Sequence, residues 1–222
     1  MELRWEPMTG PSVLAGRAVF LSASIPDPER WDGAFDAREI TDAVVAASRA
    51  VLTAGGILVT AAHPTIAPLL LYVAGEFPRR PDQPASVVIY QSNLFHDVLP
   101  EATRRFQASG VGELRLTQAA PGDQPLPTKW DRSLLTMRAQ MFAETDPVAG
   151  VFVGGMTGIR QEYELLASRH PRPLLYSVGR PGGEASQLAG EIETPLNGLL
   201  RTGDVYPSLF REVIADLARR LG

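Results

Sequence analysis

The segment GGMTGIRQE, residues 154–162, combines paired glycines with a hydroxyl and a carboxylate. It follows the apolar run AGVFVGG (149–155) and precedes helical spacing, so it falls where a strand passes into a helix. Glycines at such a junction let the backbone approach a ligand, and Thr157 can cap the helix or offer its hydroxyl. The segment is neither a GxGxxG fingerprint nor a P-loop, so a ligand-binding turn and an ordinary tight turn both remain open.

Polar side chains follow three earlier apolar runs, at 17–22, 57–60 and 86–91. The carboxyl ends of parallel strands meet at one edge of a sheet, where helix N-termini present N–H groups to phosphates. We therefore expect one ligand site at this edge, formed by Ser22, Ser24, Thr60, His63, Gln91, Ser92, Gly154, Gly155, Met156, Thr157, Gly158 and Glu162. His63 precedes a proline in a loop, which also fits a polar residue without a ligand role.

Short apolar runs alternate with longer helical patterns along the chain. Further strands are predicted at 113–117 and 173–178, and helices at 36–54, 64–77, 100–109, 129–145, 157–169 and 207–221, with a short helix after Gly183. This alternation predicts an α/β fold, a three-layer, Rossmann-like, doubly wound parallel sheet. We expect a single domain over 17–222 after an N-terminal extension, 1–16. The uninterrupted apolar run 149–155 is predicted to be the central strand.

Composition excludes several classes of protein. The 222 residues carry a net charge of −4, and their basic residues are scattered, which disfavours a nucleic-acid polymer as partner. There is no cysteine, and three histidines lie far apart, so no metal site is expected. The sequence shows neither a secretory signal nor an apolar run of membrane-spanning length. We expect a cytoplasmic protein without a membrane partner.

Residues 136–162, TMRAQMFAETDPVAGVFVGGMTGIRQE, resemble the core of the Lonely Guy and lysine-decarboxylase-like proteins. In that family a helix with an essential arginine precedes a strand that ends in PGGxGTxxE. The resemblance assigns Arg138 as the phosphate-binding and catalytic arginine and Glu162 as the catalytic glutamate. Val153 replaces the proline, Thr157 and Gly158 stand in reversed order, and one extra residue separates the glycines from Glu162.

These departures resemble the wider SLOG superfamily, in particular its stand-alone sensor domains of bacterial conflict and signalling systems. VFLSASIPDPERW (19–31) is also similar to the start of such domains. The resemblance covers 17–190 in outline and implies a small nucleotide ligand of the NAD or ADP-ribose type, with no cofactor required. A homodimer, and an effector protein that responds to the bound ligand, are the partners it implies.

Two functions stay open, and a third is disfavoured. The first is a ligand sensor in which Arg138 contacts a phosphate. The second is a nucleoside monophosphate phosphoribohydrolase, an N-glycosidase in which Glu162 stabilises charge on the ribose. The extra residue before Glu162 rotates its carboxylate by about 100° on a helix unless the turn absorbs it, which favours the sensor. An NAD-dependent oxidoreductase is disfavoured because no GxGxxG follows the first strand.

The oligomeric state can be tested directly. The helix 129–145 and the segment 64–77 offer more apolar surface than one sheet face buries, and the resemblance implies a dimer, so we expect a two-fold homodimer. Light scattering at micromolar concentration should report twice the chain mass of 24.0 kDa. A mass of one chain would contradict this expectation.

Overall fold

A computed structural model describes residues 12–77, 85–98, 101–108, 110–124 and 131–222. Six strands form one sheet in the order β4-β3-β2-β1-β5-β6. All neighbouring strands are parallel. The strands are β1 (Ala18–Ser24), β2 (Ile57–Ala61), β3 (Val87–Ser92), β4 (Gly112–Thr117), β5 (Ala149–Gly154) and β6 (Leu174–Val178). The predicted doubly wound α/β sheet is thus confirmed.

Eight α-helices lie within the described residues, most of them between successive strands. They are α1 (Ala37–Thr53), α2 (Ala67–Ala74), α3 (Glu101–Ala108), α4 (Asp131–Thr145), α5 (Thr157–Ala167), α6 (Glu184–Glu191), α7 (Asn197–Thr202) and α8 (Tyr206–Leu221). A 3-10 helix (Asn93–Val98) follows β3. Neither this 3-10 helix nor α7 is predicted from the sequence, because both are too short for a periodic apolar pattern.

Helices cover both faces of the sheet. One apolar core lies between the sheet and α1, α2 and α8. The other lies between the sheet and α4, α5 and α6, where the rings of Phe20 and Phe142 meet edge to face at 4.8 Å. Successive side chains of a strand point to opposite faces, so each strand contributes to both cores in alternation. Both faces of each interior strand are therefore apolar, as the continuous runs predict.

The strand β5 is paired on both sides, with β1 and with β6. It is an interior strand but not the central one that was predicted, because β1 and β2 occupy the middle of the sheet. The helices that follow β1 and β5, α1 and α5, pack on opposite faces. The chain therefore changes winding direction between β1 and β5, and a crevice opens at their carboxyl ends.

One predicted helix is several residues shorter in the structure, and one residue of the predicted N-terminal extension packs in the core. The predicted helix 64–77 is shorter, Ala67–Ala74, with Pro68 in its first turn as expected. Leu14, in the predicted N-terminal extension, is fully buried, and its amide donates to the Ala54 carbonyl over 2.9 Å. Residues 1–11 and the first two residues of the predicted helix 129–145 lie outside the described residues.

The two segments that we expect at a dimer interface each expose one large apolar side chain. Tyr72 on α2 is 63% exposed and Leu135 on α4 is 53% exposed. The oligomeric state stays a prediction.

Within the described ranges, each helix is too short or too polar to span a bilayer. The cytoplasmic location also stays a prediction.

The C-terminal helix α8 is attached to the sheet by a buried hydrogen bond. The Tyr176 hydroxyl on β6 donates to the Asp216 carboxylate on α8 over 2.8 Å, and both side chains are buried. Burial, together with this bond to a carboxylate, raises the pKa of Tyr176. The hydroxyl is therefore a neutral donor to a carboxylate that Arg219 also contacts, at 3.2 Å.

Tyr176→Phe should lower the free energy of unfolding by about 1.5–3 kcal/mol, the usual contribution of a hydrogen bond to a charged group. The matched control is Tyr72→Phe, at an exposed position, which should change it by less than about 0.5 kcal/mol. Urea denaturation with unchanged m-values measures both. Equal stabilities of the two variants would show that the Tyr176 bond contributes nothing.

Candidate functional site

Three loops meet at the carboxyl ends of β1, β5 and β6. The Gly155 amide donates to the Ser24 carbonyl over 2.7 Å, which joins the β5–α5 turn to the end of β1. The Glu184 amide, at the start of α6, donates to the Gly155 carbonyl over 2.8 Å. The Gly183 amide donates to the Ala34 carbonyl over 3.0 Å. The glycine-rich turn after β5 is thus held between its two neighbours.

The first turn of α5 presents amides that the protein leaves open. Gly154 and Gly155 have φ of 64° and 70°, a backbone conformation that favours glycine. Met156 is the N-cap, and no side chain caps the helix. The amides of Met156, Thr157 and Gly158 make no hydrogen bond to a described residue.

The start of α1 is different, because the Asp36 side chain accepts the Arg38 and Glu39 amides, each over 2.9 Å. An uncapped helix start attracts anions through its free N–H groups and the helix dipole. Thr157, which can cap a helix in principle, is exposed and lies inside the helix. The start of α5 is therefore available to a ligand, whereas the start of α1 is occupied by its own carboxylate.

A buried ion pair lies beneath this turn. Arg138 on α4 donates from Nε to Oε1 of Glu162 on α5 over 2.9 Å. The Ser22 hydroxyl on β1 donates to Oε2 of Glu162 over 2.5 Å. Arg138 is 8% exposed and Glu162 is 7% exposed. Both oxygens of the carboxylate are engaged, and three predicted site residues from three elements are in direct contact.

A second nitrogen of the Arg138 guanidinium, Nη1, donates to Oε1 of Gln161 over 2.8 Å. Its third nitrogen, Nη2, has no hydrogen-bond partner among the described residues. A Cβ built on Gly158 would lie 3.3 Å from Nη2. Nη2 therefore lies beside Gly158, in the first turn of α5. Sequence reasoning did not identify Gln161, although it stands next to Glu162.

A second charged cluster lies on the other side of the same turn. Arg160 on α5 pairs with Glu184 and, through two bonds of 2.9 and 2.8 Å, with Glu191 on α6. The Glu184 side chain is buried. This cluster also escaped sequence reasoning, because its members are 24 and 31 residues apart and follow no local spacing. It fixes α6 against α5 and surrounds Arg160 with carboxylates.

Two of the predicted site residues point away from the Arg138 and Glu162 pair. Val59 packs in the core beside α4 and α5, so its neighbour Thr60 faces α1 and α2, and there its hydroxyl donates to the Leu21 carbonyl over 2.8 Å. By the same alternation Gln91 faces the opposite side from Tyr90. Thr60 and Gln91 therefore lie near the carboxyl edge of the sheet, but their side chains are on the face opposite to Arg138 and Glu162.

Two more predicted residues have local partners. His63 shares a hydrogen bond of 2.9 Å with Thr65, and burial lowers the pKa of its imidazole. Ser92 is fully buried and accepts the Leu94 amide over 3.3 Å. None of the described hydrogen bonds joins either residue to the Arg138 and Glu162 pair.

Two grooves of the described residues differ in their relation to the predicted site residues. One, of about 1140 Å³, is a largely apolar groove between α1 and α8 and contains none of the predicted site residues. A groove of about 390 Å³ between α4 and α5 includes Arg138 and Gln161. No group of three or more His, Asp or Glu side chains in the described part of the chain is placed to hold a metal ion.

The fold and the site together define a Rossmann-like α/β domain with an open, glycine-rich helix start at its switch point. The chain matches the model of the SLOG cluster3 family over residues 30–214, most of its length, and it belongs to that family. The resemblance to the SLOG superfamily is thereby confirmed. No curated protein matches the chain.

Gly183 can test how closely the loops are packed. Its φ is 69°, and a Cβ there would lie 2.5 Å from the Gly154 carbonyl carbon. Gly183→Ala should therefore destabilise the fold by about 2–4 kcal/mol, from backbone strain and a clash with another backbone. Gly190 on α6 has open space at its Cβ position, so Gly190→Ala should be neutral or stabilise by up to about 1 kcal/mol. Denaturation midpoints compare the two, and equal effects would refute the packing argument.

Proposed function

We propose that this protein binds a small nucleotide-derived ligand of the NAD or ADP-ribose type at the carboxyl ends of β1 and β5, and that it acts as a ligand sensor. A phosphate of the ligand accepts hydrogen bonds from the amides of Met156, Thr157 and Gly158. Nη2 of Arg138 supplies a charge-assisted hydrogen bond from beneath. The Ser24 hydroxyl, at the end of β1, lies 3.1 Å from the position of a Cβ on Gly155.

The observation that carries this proposal is the open helix start beside an oriented arginine. Free backbone amides, a helix dipole and a guanidinium are the groups that proteins use to hold phosphate. Membership of the SLOG cluster3 family supports a nucleotide-related ligand. The net charge of −4 is compatible with such a ligand, because one phosphate group needs only one or two local cations.

The hydrogen bonds and the burial of the Glu162 carboxylate support sensing rather than hydrolysis. A catalytic carboxylate must face the ribose carbon on which positive charge develops. Here one oxygen of Glu162 accepts from Arg138 and the other from Ser22, and the side chain is buried. The carboxylate therefore neutralises and orients Arg138. The extra residue in the motif does not separate Glu162 from this arginine.

The direct contact between Arg138 and Glu162 also favours a second candidate, a phosphoribohydrolase, because these are the two residues that the Lonely Guy resemblance assigns to catalysis. In that case the ligand would have to displace Ser22 or Arg138 from the carboxylate. A homodimer and an effector protein that responds to the bound ligand remain part of the sensor proposal.

Substitution of Arg138 tests the phosphate contact. Arg138→Lys keeps the charge beside Glu162 and removes the donor edge at Nη2, so ADP-ribose binding should weaken by about 1.5–3 kcal/mol. Arg169→Ala, which removes an arginine paired with Asp146 at the far end of α5, should leave binding unchanged. Calorimetric titration measures both. An unchanged dissociation constant for Arg138→Lys would remove Arg138 from the site.

Base release separates the sensor from the enzyme. The wild-type protein should bind ADP-ribose and should release no base over hours from a nucleoside monophosphate, as followed by chromatography. If base is released and Glu162→Gln abolishes the release while binding persists, the phosphoribohydrolase is correct and the sensor proposal is wrong.

A further inference from the structure

Arg138 is fixed by two adjacent residues of α5 that approach it from different sides. Glu162 is buried and takes Nε, whereas Gln161 is exposed and takes Nη1. Since arginine can only donate, the Gln161 atom at 2.8 Å must be its amide oxygen. Two of the three guanidinium nitrogens, Nε and Nη1, therefore have acceptors within the protein. These bonds fix the orientation of the group without the ligand.

The remaining nitrogen, Nη2, lies beside the first turn of α5. Nη2 lies 3.3 Å from the position of a Cβ on Gly158, in the first turn of α5. Glycine at 158 keeps this approach free of a side chain. Rotation of the guanidinium about its stem would turn Nη2 away from Gly158. An acceptor on Nη1 prevents that rotation.

The charge of the second acceptor also matters. With Glu162 the guanidinium forms a neutral pair, and a carboxylate at position 161 would leave an excess negative charge beside the phosphate position. A neutral amide holds the edge without this repulsion. Because Gln161 is exposed, its hydrogen bond contributes little to folding and is free to serve orientation.

We infer that Gln161 is a positioning residue for ligand phosphate, acting through Arg138. The inference rests on the proposed function and adds to it a residue outside the motif positions that the family resemblance assigns. Preorganisation of the arginine reduces the ordering that binding must otherwise supply. Gln161 therefore affects the affinity for phosphate-bearing ligands and leaves stability nearly unchanged.

The test uses Gln161→Met, which keeps the length of the side chain and removes the acceptor. Calorimetric titration with ADP-ribose should show a dissociation constant raised about three- to tenfold, the effect of one hydrogen bond. Gln140→Met is the matched control, because Gln140 is an exposed glutamine on α4 that bonds Glu144 at 2.6 Å. This control should bind ADP-ribose like the wild type, and urea midpoints of both variants should stay close to that of the wild type.

A double-mutant cycle separates positioning from any independent contact. In the Arg138→Lys background, Gln161→Met should cause no further loss, because the oriented edge is already gone. Equal affinity of the wild type and Gln161→Met, or additive losses in the cycle, would overturn the inference and leave the proposed function standing. A wild-type protein that binds no NAD-derived nucleotide would overturn both.

Discussion

The buried charge of Arg138 is the constraint on which the site depends. A guanidinium that is 8% exposed is stable only if it is paired and hydrogen-bonded, and removal of one partner of a buried pair costs several kcal/mol. Glu162 supplies the pairing from α5, and Ser22 holds the second carboxylate oxygen from β1. These bonds fix α4 and α5 relative to the strand at the switch point. The open amides at the start of α5 thereby have a defined position against an oriented cation.

The elements of the fold could be predicted because their signals are local. The apolar run 149–155 indicates a strand buried on both faces, and Asp36 before an amphipathic run indicates a helix start. Both are present in the structure. The helix α7, six residues long, gives too short a pattern to be detected. The segment 64–77 is apolar except for Thr65 and Glu76, so its composition does not reveal that only Ala67–Ala74 is helical.

The candidate site could be predicted only in part, because which face a side chain takes depends on strand register. The motif and the family resemblance identified Glu162 and Arg138, and the structure places Glu162 in contact with both Arg138 and Ser22. Thr60 and Gln91 lie near the carboxyl ends of the predicted strands, but their side chains face the other side of the sheet. A shift of one residue along a strand reverses the face that a side chain takes. Gln161 and Arg160 lie within the segment 154–162, but the sequence does not indicate their partners, which become neighbours only through packing. The contacts of Gln161 and Arg160 follow from the tertiary structure alone.

The most direct test of this account is hydrogen exchange by mass spectrometry with and without ADP-ribose. A ligand that takes the amides at the start of α5 must slow their exchange. Peptides that cover residues 152–160 should therefore be protected, together with those at the end of β1, and peptides from α8 should be unchanged. Protection confined to the groove between α1 and α8, with none at 152–160, would contradict the account.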